Sequence, residues 1–85
     1  MKRREVIRLI KAAGREGSAR ITVHAREEME NKNLHVAEPE ILDALATAKT
    51  FNAQANGRWE VYNDEHLLHV IVLVSDGKVL VWTVY

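Results

Sequence analysis

The side chains best suited to moving protons and holding an anion together fall in a few short stretches of this sequence. "ITVHAREEM" places His24 just after Ile21 and Val23, with Arg26 two residues on; "HLLH" contributes His66 and His69; Arg58 opens "RWEVYN"; and the chain closes on Trp82 and Tyr85 in "VWTVY". Histidine, with an ordinary pKa of about 6.5, takes or gives a proton near neutrality, and arginine grips phosphate bidentately. Imidazoles, guanidinium groups and a phenol suit the cleavage of RNA without a metal. In that reaction a base removes the ribose 2′-hydroxyl proton, cations stabilise charge growing on the phosphate, and an acid protonates the departing 5′-oxygen.

Other chemistries find little support. There is no cysteine, hence no disulfide, thiolate metal site or cysteine nucleophile, which suits a reducing cytoplasm. His66 and His69 look like a metal pair, but three residues apart on a strand they point to opposite faces. No glycine-rich phosphate loop, paired catalytic carboxylates or nucleophile motif is present, so neither a cofactor nor a metal is expected. His35 falls in a turn and reads as solvated.

The elements that must position these groups follow from the hydrophobic periods. Val6, Leu9, Ile10 and Ala13 recur at helical spacing over residues 2–13, and Gly14 reads as the stop. A second helix is expected over 24–32, with Ala25 and Met29 inward, and a third opens at Pro39, with Glu38 and Glu40 near its positive end, and closes near Ala48. From Thr50 the period becomes two. Asn56-Gly57, Asp64-Glu65 and Asp76-Gly77 then mark hairpin turns between four antiparallel strands. The expectation is an α+β domain, with two to three N-terminal helices packed on one face of a four-stranded antiparallel sheet.

Two-residue turns at Asp76-Gly77 and Asp64-Glu65 would set Val72 against Val81, Val70 against Thr83, Leu68 against Tyr85 and Glu60 against His69. Arg58, Glu60, Tyr62, His69 and Trp82 would then share a polar face. A different turn length at Asp64 could move Arg58, Glu60 and Tyr62 to the other side.

At 85 residues and 47% apolar, the chain makes a single domain, 1–85, burying about 60–65% of its unfolded surface. Residues 1–20 form a basic helix and loop. Lys2, Arg3, Arg4, Arg8, Lys11, Arg15 and Arg20 there face only Glu5 and Glu16, while the whole chain is neutral. Lys2, Arg3, Arg4 and Arg8, with Trp82 as a base-stacking platform, are the candidate RNA-binding residues; a solvated helix face and a core indole are the plainer readings. Arg8 and Lys11 break the apolar run that a signal peptide needs, and no later segment approaches the roughly 18 apolar residues of a membrane span. A cytoplasmic protein with no membrane contact is expected.

"TVHAREEM", the helical "ILDAL", "GRWEVY" and the closing "VLVWTVY", taken in order, resemble the domain of unknown function 4258 family. That family is similar to the RelE and MqsR type toxins of type II toxin–antitoxin systems. The resemblance covers residues 21–85 and implies a RelE-like ribonuclease-toxin sheet, a small antitoxin protein as partner, and mRNA endoribonuclease activity, on the ribosome or off it. The family's His-Ala falls on His24 and Ala25, its hydrophobic mate on Met29, and its Thr-x-Tyr on Thr83 and Tyr85. Glu28 stands where the family usually has arginine, and Lys32-Asn33 where arginine and glycine are common. The candidate catalytic set is then His24, Arg26, Lys32, Arg58, His69, Thr83 and Tyr85.

Two readings from other classes stand beside this one. A non-catalytic module would dock RNA or protein through the basic helix and the sheet face, and a small interaction subunit would form a homodimer through exposed strand edges. His24 shows the division: a helix N-terminus favours the neutral imidazole that accepts a proton, but it suits equally a histidine that only ties helix to sheet.

Overall fold

The structure, a computed structural model, describes residues 2–31 and 34–85, without the side chain of Asn31. It is an α+β fold in the order α1 (Arg3–Glu16), β1 (Arg20–Ile21), α2 (Val23–Asn31), α3 (Glu38–Thr47), β2 (Thr50–Ala53), β3 (Arg58–Asn63), β4 (Leu68–Ser75) and β5 (Lys78–Val84). The strands make one sheet ordered β1-β5-β4-β3-β2. This corrects the expected four antiparallel strands: the sheet has five and is mixed, because β1 pairs parallel to β5. Two residues carry no period, so β1 has no sequence signal of its own. Among the described residues no helix is long and apolar enough to cross a membrane.

One core lies between the sheet and the helices. Val61, Val70, Val72, Val81 and Val84 on the sheet are fully buried, together with Ile10 of α1, Ala25 of α2, and Ile41, Ala44 and Leu45 of α3. Burying a valine side chain contributes roughly 1.5 kcal/mol or more, and alternation along each strand puts these residues on one face. Among the described residues no helix covers the opposite face.

Glycine at 14 is not the end of α1, which runs two residues further and closes at Gly17 in the left-handed conformation (φ 71°). It is the place where α1 meets α3. A Cβ on Gly14 would lie 2.5 Å from the Leu42 carbonyl oxygen and 2.7 Å from the Ala46 backbone nitrogen, so only hydrogen fits there. Beside this contact, Lys11 Nζ donates to the Ala48 carbonyl at 2.9 Å, closing the C-terminus of α3. One of the basic residues of the first twenty therefore serves the fold.

Asp76-Gly77 is the expected two-residue turn, closed by Ser75 opposite Lys78, while the other two hairpins depart from their expected lengths. Ala55–Gly57 forms a 3-10 turn between β2 and β3, with Asn56 at φ 61°. The β3–β4 turn is four residues long, Asp64 to Leu67, with Leu67 at φ 54°. Asn63 shapes it: its side-chain oxygen accepts from the Glu65 and His66 backbone N–H groups, and its amide donates to the Ala44 carbonyl and Thr47 Oγ1. The two added residues shift β3 against β4 by an even number, so Arg58, Glu60 and Tyr62 stay on the expected face, with Tyr62 rather than Glu60 opposite His69.

In β5 the alternation breaks. Val72 faces Val81 as expected, but Ile71 faces Thr83 and Val70 faces Val84, leaving Trp82 as an extra residue in a bulge. The expected pairs of Val70 with Thr83 and Leu68 with Tyr85 are replaced, and Tyr85 lies opposite His69, each donating its backbone N–H to the other's carbonyl.

Replacing Gly14 by alanine should lower stability by about 1–3 kcal/mol, because backbone on both sides must move to admit the methyl. Urea denaturation monitored by circular dichroism measures this. A change within 0.5 kcal/mol would show that α1 and α3 can separate without loss.

Candidate functional site on the open face of the sheet

The bulge gathers a cluster on the helix-free face. Glu60 of β3 and His69 of β4 project there beside Tyr85, the residue after β5. Glu60 Oε2 accepts the Tyr85 hydroxyl proton at 2.6 Å and lies 3.1 Å from His69 Nδ1. The His69 ring stacks on Tyr85 with centroids 4.7 Å apart and planes 3° from parallel, while Tyr62 meets its other side at 4.6 Å. A neutral imidazole that donates Nδ1–H to this carboxylate keeps its lone pair on Nε2. Among the described residues nothing bonds to that Nε2.

Protonation follows from the same contacts. The hydrogen bond from Tyr85 holds the Glu60 carboxyl below its ordinary value; burial works against it, while the bonds and charge of His69 and a bond from Asn52 assist. The carboxylate in turn holds the Tyr85 phenol above its ordinary value, aided by burial. The cluster near neutrality is thus an ionised Glu60 between a phenol that keeps its proton and an oriented imidazole.

Further along the face, the Arg58 guanidinium lies 5.2 Å from the Trp82 ring centroid, and Thr83 sits half-buried opposite Ile71. Of the residues singled out from sequence, Arg58, His69, Trp82, Thr83 and Tyr85 thus share this face. Glu60, the acceptor that joins His69 to Tyr85, is on that face in the sequence pattern too, but nothing in the sequence marks it as a site residue. The signal for its face is the polar alternation of Arg58, Glu60 and Tyr62 through "RWEVY".

The other candidates have separate surroundings. His24 lies in the first turn of α2 with its side chain 60% exposed and Nε2 3.5 Å from Glu28 Oε1. Thr22 starts that helix, its Oγ1 accepting the Ala25 backbone N–H at 3.0 Å. Arg26 pairs with Glu38 at 2.7 Å across to α3, an exposed contact worth up to about 1 kcal/mol. Lys32 lies outside the described residues. Lys2 precedes α1, its carbonyl accepting from the Glu5 and Val6 N–H groups; Arg4 and Arg8 are exposed on α1; and Arg3 lies 5.6 Å from the ring of Trp59, which packs against the core.

Glu28 explains its own presence. It is buried, and Oε1 accepts the Val84 backbone N–H at 3.1 Å. Beyond Ile21, β1 no longer covers the edge of β5, and a buried N–H without a partner costs about 1–3 kcal/mol. The carboxyl from α2 supplies that partner one residue before Tyr85. His66 makes a separate pair, its Nε2 2.7 Å from Asp43 Oδ2. Among the described residues no three His, Asp or Glu side chains converge as metal ligands.

No protein-family model, curated protein or solved structure matches the chain.

A carboxyl with a lowered folded-state pKa contributes stability that is present above its unfolded value and lost as pH falls through the folded one. A phenol with a raised pKa contributes stability that is present below its unfolded value and lost as pH rises through the folded one. The wild type should therefore exceed Tyr85→Phe in stability by a margin that is widest between about pH 6 and 9 and shrinks below about pH 4 and above about pH 10. Thermal melts of both proteins from pH 3 to 11 measure it; a margin independent of pH would mean that the Tyr85–Glu60 bond is not formed in solution.

Glu28→Ala should cost about 1–3 kcal/mol, and Glu28→Gln less, because its amide oxygen can still accept from Val84. Amide hydrogen exchange at Val84 gives the direct readout, and unchanged protection in Glu28→Ala would remove the edge-capping role.

Proposed function

We propose that the protein is a metal-independent endoribonuclease of the RelE/MqsR toxin kind, acting on mRNA in the cytoplasm and restrained by a small antitoxin protein. The observation that carries this reading is the Glu60–His69–Tyr85 cluster on an uncovered sheet face. Glu60 fixes the imidazole so that Nε2 is the basic atom, as a carboxylate does for a general-base histidine. His69 takes the 2′-hydroxyl proton, the 2′-oxygen attacks phosphorus, the P–O5′ bond breaks, and the products are a 2′,3′-cyclic phosphate and a 5′-hydroxyl. Tyr85 keeps its proton at neutral pH and is the acid for the departing oxygen, turning from Glu60 as substrate enters. Arg58, four residues along the strands from the His69 row, supplies positive charge on the same face for a backbone phosphate farther along the RNA.

One observation favours the alternative of a non-catalytic RNA-binding module. Trp82 beneath Arg58 offers an aromatic surface and a cation, which is enough to hold a base and a phosphate without any proton transfer.

The two separate in one experiment. Purified protein incubated with mixed-sequence RNA in excess chelator should yield fragments ending in cyclic phosphate. His69→Ala should slow this by about 10²–10⁴-fold with the melting temperature and RNA affinity little changed. Intact RNA at large protein excess, both free and on ribosomes, overturns the nuclease reading; RNA binding that then persists identifies the module.

A further inference from the structure

The strand registers align a second set of groups on the open face. Arg58 lies opposite Leu73, Leu73 opposite Leu80, and Leu80 opposite Arg20. One row across β3, β4, β5 and β1 thus has an arginine at each end and two half-buried leucines between them. Arg20 shares the side of Leu80, since its neighbour Ile21 packs against the core on the other side. Lys78, two residues before Leu80, also points that way, opposite Ser75.

Arg20 and Lys78 border a groove of about 230 Å³ with Leu73, Ser75 and Leu80. They also border one of about 310 Å³ beneath α1. Asp76 lines the first and Glu16 the second. Even so, among the described residues neither cation comes within ion-pair distance of a carboxylate. The arginine row stands four residues along the strands from the row of Tyr62, His69 and Tyr85, about 13 Å at the usual rise per residue. Trp82, 38% exposed, lies between the two rows.

We propose that the open face is a track for single-stranded RNA, on which Arg58, Arg20 and Lys78 hold backbone phosphates at one end, Trp82 stacks a base midway, and the His69 cluster meets the ribose at the other end. The choice of RNA as occupant rests on the nuclease reading above. Unpaired cations at one end of the face complement phosphate. An exposed indole between them and the imidazole serves an unstacked base, which a duplex does not present. The arginines of α1 belong to the helix-covered side, where Arg3 is held against Trp59, and they form no part of this track.

The test measures binding without cleavage. Anisotropy titrations use a short, fully 2′-O-methylated single strand, which cannot form the cyclic phosphate, at several salt concentrations. Each phosphate contact removed should flatten the log K against log salt slope by about 0.7. Arg20→Gln/Lys78→Gln should therefore lose about 1.4 in slope and tenfold or more in affinity at low salt, with the melting temperature kept. Arg4→Gln/Arg8→Gln on α1 should change the slope by less, and duplex RNA of equal length should compete poorly.

Equal loss from the α1 pair, or none from the sheet pair, overturns the track. So does tight binding of an acidic peptide in its place. If the wild type cuts RNA but the sheet pair is indifferent, the track alone fails. If binding depends on Arg20 and Lys78 while no RNA is ever cut, the track stands and the nuclease reading fails.

Discussion

One extra residue in the last strand decides what this molecule presents to solvent. Val81 and Val84 are both fully buried although they stand three positions apart, and that is allowed only because Trp82 and Thr83 both occupy the space opposite a single step of β4. Without the bulge, Val84 would leave the core and Tyr85 would turn beneath the sheet. With it, the apolar side chain is buried and the phenol stands beside His69 and Glu60. The cost of interrupting the ladder is offset by burying valine and by the two backbone hydrogen bonds that Tyr85 makes with His69.

The bulge is supported from the side. β1 covers β5 for only two residues, so the Val84 N–H needs an acceptor from elsewhere, and α2 provides it through Glu28. Thr22 joins the two devices: its N–H bonds the Val81 carbonyl as the last contact of β1, and its hydroxyl begins α2. The stretch around His24 is therefore a joint that closes the sheet edge, and the imidazole packs against the carboxyl that does so. Farther along the chain, Gly14 and Lys11 lock α1 to α3, and Asn63 locks the β3–β4 turn to α3. The helix-covered side is fixed at several points, which leaves the other face free to carry polar and aromatic side chains.

On that face, charge and stacking are arranged by strand register alone. Glu60, His69 and Tyr85 come from three separate segments and meet because Tyr85 lies directly opposite His69 while Glu60 is its diagonal neighbour, still within reach of long side chains. Arg58 and Arg20 end the same row for the same reason. Few of these contacts are deeply buried, so they contribute modestly to stability, and their significance lies in orientation: one imidazole nitrogen is committed to Glu60, and among the described residues the other bonds to nothing.

Much of this could be read from residue order, because periodicity and turn chemistry are local. The helical stripe of Val6, Leu9, Ile10 and Ala13, the Pro39 start of α3, the alternation through β4, and Asp76-Gly77 as a tight turn all declare themselves within a few residues. The face shared by Arg58, Glu60, Tyr62 and His69 was legible too, since the longer turn changed the register by two and preserved the side. The spacing of Val79, Val81 and Val84, two and then three, carried a signal for the bulge, but strict alternation was the simpler pattern and it sent Tyr85 to the wrong side. What lay beyond local sequence was β1, too short to show a period; Gly14, whose meaning depends on a helix that arrives some thirty residues later; and Glu28, whose partner is a backbone N–H in the final strand. Local order set which elements form and which way most side chains point. Only the closed tertiary structure, in which every buried N–H must find an acceptor and every core position a side chain, decided that Tyr85 joins His69.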